Sequence, residues 1–123
     1  MRSNPITTKR KKFPKRRVAI FGWGTLAIEI SKFLIAQREI RCEIIFCCPN
    51  QQEDKRDQWQ PSFKNYLQKN NLKLFESSEI NSPATLDFIK EQNLDFLFSL
   101  QYNKILKKEI LEASKFGSIN LHY

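Results

Sequence analysis

Histidine is almost missing from this 123-residue chain: His122, next to last, is the only one. Its three cysteines, Cys42, Cys47 and Cys48, form no CxxC pair. One imidazole and no second cysteine pair leave structural zinc without a ligand set, so no metal is expected. Nor does any apolar run approach the roughly 18 residues that span a bilayer, and the charged N-terminus has no apolar segment behind it. No membrane contact is therefore expected. An odd set of cysteines in and beside an apolar run reads as small buried thiols kept reduced, which fits a cytoplasmic protein. Beyond the first 17 residues there is no low-complexity segment, and no internal repeat appears.

What the chain does have is a core. Hydrophobic residues make up 41% and ten are Phe, enough for one folded domain at this length. The net charge of +8 suggests a polyanion partner until it is divided along the chain. Residues 1–17, "MRSNPITTKRKKFPKRR", hold eight Lys and Arg and no acid, and the rest balances 13 basic residues against 13 acids. The expected division is a basic, disordered tail at 1–17 and a neutral domain at 18–123. Residues 2–17 could give a weak, salt-sensitive hold on RNA or another polyanion. A plain solvated extension is the favoured reading, because no aromatic or amphipathic spacing accompanies the charge.

From Val18 onward β-rich runs alternate with helical periodicity. "RVAIF" reads as a strand, and "TLAIEISKFLIAQ" as a helix with Leu26, Ile30, Phe33 and Leu34 on one stripe. Then come a strand "CEIIFCC", a polar loop from Pro49 to Gln60, a helix from Ser62 to Asn70 and a short strand "LKLF". Ser82-Pro83 opens another helix, which Gln92-Asn93 ends. "LDFLFSL" is apolar on both faces, as a central parallel strand is. A helix from Lys107 to Ala113 leads through Gly117 into "SINLHY". The alternation implies a right-handed α/β fold with a mostly parallel sheet, with Ile20, Ile45, Leu97 and Ile119 in its interior. In the last strand, alternation puts Ile119 and Leu121 on one face and Asn120 and His122 on the other.

Gly22-Trp23-Gly24-Thr25-Leu26-Ala27 matches G-x-G-x-x-A between a strand and a helix, where small residues let a phosphate approach a helix N-terminus. Gly22 and Gly24 are thus candidate substrate contacts. A dinucleotide site would add an acid at the end of the second strand, which instead closes Phe46-Cys47-Cys48-Pro49-Asn50; Glu43 lies at the wrong end. A tight turn that needs glycine only for its backbone is at least as good a reading.

"DFLFSLQYNKILKKEILEASKFGSINLHY" resembles the N-terminal catalytic domain of the 10-formyltetrahydrofolate-dependent formyltransferases, a family that includes the methionyl-tRNA, glycinamide ribonucleotide and amino-sugar enzymes. The features carrying the likeness come in order: a strand, a loop with the aliphatic pair Ile105-Leu106, a short helix, and a Gly-led strand ending Asn-x-His. The likeness extends loosely back to Val18. It implies a Rossmann-like three-layer fold, incomplete at the C-terminus, and a cytoplasmic formyltransferase of one-carbon metabolism. It further implies Asn120 and His122 as two members of a catalytic Asn-His-Asp trio, and Asn103, Lys104, Ile105 and Leu106 as the loop holding the folate cofactor, 10-formyltetrahydrofolate. The family's Asp and its Leu-Pro loop lie past His122, so these 123 residues alone are expected to be inactive.

For the acceptor, Glu53, Asp54 and Asp57 stand where tRNA enzymes carry a basic loop, and the first turn lacks the Ser-Asn pattern of the ribonucleotide enzymes. A small-molecule amine such as a nucleotide-linked amino sugar is slightly favoured, with methionyl-tRNA close behind. The competing classes are a dinucleotide-binding module and a non-catalytic remnant with a polyanion-binding tail.

Overall fold

A computed structural model describes residues 15–37, 39, 41–51 and 60–121. The expectations for the tail before Lys15, for most of the polar loop and for His122 fall outside these residues. Eight elements follow in the order β1 (Arg16–Gly22), α1 (Gly24–Ala36), β2 (Cys42–Pro49), α2 (Phe63–Lys69), α3 (Pro83–Glu91), β3 (Phe96–Leu100), α4 (Lys108–Leu111) and β4 (Ser118–Leu121). The caps sit where the sequence put them. Ser62 Oγ accepts from Asn65 N and Ser82 Oγ from Thr85 N, each meeting one of the donors a helix start leaves unpaired.

The four strands form one sheet in the order β2-β1-β3-β4, with every pairing parallel. Strand parity divides the core into two layers. Ala19, Phe21, Phe46, Cys48 and Leu97 face α3 and α4 and join Ile89, Leu94 and Ile110. Val18, Ile20, Cys47 and Leu100 face α1 and α2 and join Ala27, Phe63 and Leu67. The result is the expected three-layer, Rossmann-like α/β arrangement. Edge-to-face contacts tie Phe21 to Phe46 and Tyr102, at centroid distances of 5.8 and 5.3 Å.

Three expectations change. β1 begins at Arg16, two residues before the expected domain start at Val18. Arg17 is held there because its backbone N donates to Asp95 Oδ2 at 2.8 Å and its Nε and Nη2 both donate to Gln92 O. "LKLF" is not a strand but a single parallel bridge between Leu74 and Cys47, after which the chain leaves the edge of β2. Finally, Ile20 and Leu97 are fully buried and Ile45 is half-buried, but Ile119 is 40% exposed and Leu121 44%. The cause is position: β4 is an edge strand, and α1 and α2 lie against β1 and β2. Correct pairing does not bury a side chain that no second layer covers.

Candidate active site

β1 leads to β2 on one side of the sheet, while β3 and β4 lie on the other. The order therefore reverses between β1 and β3, and the carboxyl ends of such strands are where open α/β sheets form a ligand crevice. The first turn opens on one side of this point and the loop after β3 on the other.

The loop after β3 is tightly specified. Gln101 takes a left-handed backbone (φ 57°), an uncommon conformation for a residue with a Cβ, while its N donates to Leu121 O at 2.9 Å. Tyr102 then turns inward, its hydroxyl 3.5 Å from Cys48 Sγ. Asn103 N donates to Asn50 Oδ1 at 2.9 Å. Asn81 holds the far end, donating from Nδ2 to Ile105 O at 2.8 Å and accepting from Lys107 N at 2.7 Å. Leu106 is buried, whereas Ile105 is 90% exposed. The backbone on either side of Ile105 is pinned, by Asn50 at Asn103 and by Asn81 at Ile105 and Lys107, so its aliphatic side chain is held in water at the rim of the loop.

Asn120 faces the same space. In the β3–β4 register it stands opposite Ser99, and both line a cavity of about 260 Å³ with Tyr102, Lys104, Ile105, Leu106, Leu111 and Ser118. The fold thus brings together Asn120 and three of the four loop residues picked from the sequence. The fourth, Asn103, enters through its backbone bond to Asn50, and His122 lies outside the described residues.

Gly22 and Gly24 have packing explanations. A Cβ on Gly22 would lie 2.8 Å from Leu100 O and 3.1 Å from the Ala27 Cβ. At Gly24 (φ 67°) a Cβ would collide with the side-chain amide of Gln60. Gln60 Oε1 in turn accepts from Thr25 N at 2.8 Å, so it occupies the start of α1 where a phosphate would have to bind.

Burial decides the ionisation of the inner wall. It pushes the Tyr102 phenol well up, an effect to which the neighbouring Cys48 adds. It pushes the Cys48 thiol up to about 12 against the opposing hydrogen bond from Tyr102, with Glu76 adding to the rise. Both are neutral near pH 7. Cys48 is therefore a packing group rather than a thiolate nucleophile. The polar groups facing the cavity are a side-chain amide, hydroxyls and one lysine, which can hydrogen-bond a flat polar ring or stabilise a developing negative charge. No helix among the described residues is long and apolar enough to cross a membrane.

Sequence reasoning missed Ser99, Tyr102, Asn81, Asn50 and Gln60. Ser99 alone left a signal, a hydroxyl inside the apolar run "FLFSL".

No family model matches the chain. Over 108 residues, 86% of this chain and 33% of the other protein, it is 29% identical to the methionyl-tRNA formyltransferase of Microcystis aeruginosa. By sequence the chain is similar to formyltransferases. Among solved structures, the fold matches that of phosphoribosylglycinamide formyltransferase from Bacillus halodurans (TM-score 0.58, 17% identity, 85% of this chain and 55% of that one). It also matches WlaRD, a sugar 3N-formyl transferase solved in the presence of dTDP and 5-N-formyl-THF (TM-score 0.52, 22% identity, 86% of this chain and 33% of that one). The domain spans about one third of the length of the curated methionyl-tRNA formyltransferases it matches.

Proposed function

We propose that this domain takes part in formyl transfer from 10-formyltetrahydrofolate to a primary amine, as a one-carbon transferase. The observation that carries the reading is the convergence of Asn120 with Lys104, Ile105 and Leu106 on one cavity at the carboxyl ends of β3 and β4. That cavity is smaller than the roughly 300–1,000 Å³ typical of sites for drug-sized ligands, so it suits the ring end of a folate rather than the whole molecule. The exposed Ile105 would cover one side of the ring, and Lys104 and the loop backbone would meet its polar edge.

In the reaction the amine nitrogen bonds to the formyl carbon, the bond from that carbon to N10 breaks, and the proton lost by the amine ends on N10. Negative charge builds on the formyl oxygen between these events. The Asn120 amide is a neutral donor suited to it, and removing one such donor typically costs about 10²–10³ in rate. His122, two residues on, is the proton carrier that the family resemblance implies. Gly22 and Gly24 are the candidate acceptor contacts; a phosphate reaching Thr25 N would have to displace Gln60.

For the acceptor, Glu53, Asp54 and Asp57 favour a small amine such as a nucleotide-linked amino sugar. The name of the Microcystis relative favours methionyl-tRNA, with residues 2–17 as a weak basic contact. Formylation assays with each acceptor in turn separate the two.

The donor site is tested by titrating the chain with 5-formyltetrahydrofolate. Saturable binding is expected, weakened at least about tenfold by Ile105→Asp with no change in melting temperature, because Ile105 touches little of the fold. No binding by the wild type, or equal binding by Ile105→Asp, would refute the donor site.

A further inference from the structure

Asn50 lies at the end of β2, outside the lining of the cavity, yet it connects three strand ends. Its backbone N donates to Gly22 O at 3.0 Å, which extends the β1–β2 ladder by one bond. Its Oδ1 accepts from Asn103 N at 2.9 Å, a contact between residues 53 apart in the chain. Asn50 is buried, and β1 lies between the strands it connects. Tyr102, one residue before Asn103, contacts Cys48, two residues before Asn50. The end of β2 therefore grips the loop after β3 at two successive residues.

We infer that Asn50 is a positioning residue that sets the conformation of the 101–106 loop and, through it, the shape of the cavity. The need for one is plain from the loop. Gln101 holds a left-handed backbone, a state that persists only when its surroundings over-determine it, and Ile105 is held out in water. Asn103 N is a backbone donor beside a buried acceptor, and without Oδ1 it would turn to water and let the loop relax. Asn81 fixes the far end of the loop and Asn50 the near end, so that Ile105 between them is presented to water while Leu106 packs into the core that holds Ile110 of α4. That this loop receives a folate rests on the function proposed above; that Asn50 sets its shape does not.

The test compares the wild type, Asn50→Ala and Asn50→Asp, the last keeping an acceptor oxygen in place. Three quantities are measured: amide hydrogen exchange at Asn103 without ligand, affinity for 5-formyltetrahydrofolate, and melting temperature. Ser31→Ala serves as a control, since it deletes a buried hydrogen bond, Ser31 Oγ to Ala27 O, away from the loop. Asn50→Ala should speed exchange at Asn103 at least tenfold and weaken folate about tenfold, Asn50→Asp should restore both, and Ser31→Ala should change neither. If Asn50→Ala does not fold, Asn50→Ser, whose oxygen falls short of Asn103, takes its place. Unchanged exchange at Asn103 overturns the inference, as does a loss of affinity in Ser31→Ala equal to that in Asn50→Ala. A wild type that ignores folate while Asn103 exchange still responds to Asn50 refutes the donor site and upholds the positioning role.

Discussion

Replacing Gly22 with alanine separates the two explanations of the G-x-G turn. Gly22 is not in the left-handed region, so its backbone accepts alanine without strain, and the smaller unfolded ensemble contributes about 0.4–1 kcal/mol in favour of the fold. Against this, the new Cβ would lie 2.8 Å from Leu100 O and 3.2 Å from Leu100 Cβ on the paired strand, and 3.1 Å from Ala27 Cβ in α1. The closest of these is a backbone atom of the neighbouring inner strand β3, which cannot swing aside. Relief requires β3 or α1 to shift, and overpacking of this kind costs about 1–3 kcal/mol. The net loss is about 1–2 kcal/mol, or roughly 5–15 °C in melting temperature for a domain near 100 residues. Thermal unfolding followed by circular dichroism measures it. A variant that melts within about 2 °C of the wild type but no longer binds its acceptor would refute the packing argument and make Gly22 a ligand contact.

Gln101→Gly should stabilise the domain by about 0.5–1 kcal/mol in urea titrations, because removing a left-handed side-chain penalty of about 1–2 kcal/mol outweighs the added unfolded-state entropy. Arg17→Lys should cost about 1 kcal/mol, since a single ammonium cannot reproduce the paired Nε and Nη2 donation to Gln92 O; an unchanged melting temperature would show that β1 does not need this anchor. Burial holds Cys48 protonated up to about pH 12, while in the unfolded chain a thiol ionises near pH ~8.5. The unfolded state therefore binds fewer protons between these values, so this contribution to stability is complete below about pH 8.5 and is lost as pH rises towards 12. Melting temperature should fall more steeply with pH above 9 in the wild type than in Cys48→Ala, and equal slopes would contradict the assigned ionisation.

The order of elements and most of their limits were legible in the sequence because the signals are local. A change from period 2 to period 3.6 marks strand against helix, Ser62 and Ser82 cap by bonding three residues ahead, and "SINL" follows a turn that Gly117 opens. Asn120 and the Lys104–Leu106 loop could be chosen by resemblance before any geometry, and the fold then placed them around one cavity. Burial was only half legible. Alternation assigns a residue to a face, but whether that face is covered depends on where the helices settle, so Ile20 is buried while Ile119, on the apolar face of its own strand, is not. Gln60 at the start of α1, Asn81 beneath Ile105 and Asn50 against Asn103 left no sequence signal. Each is a polar side chain meeting a backbone group 24 to 53 residues away, and only the folded sheet, by bringing strand ends to one edge, could pair them.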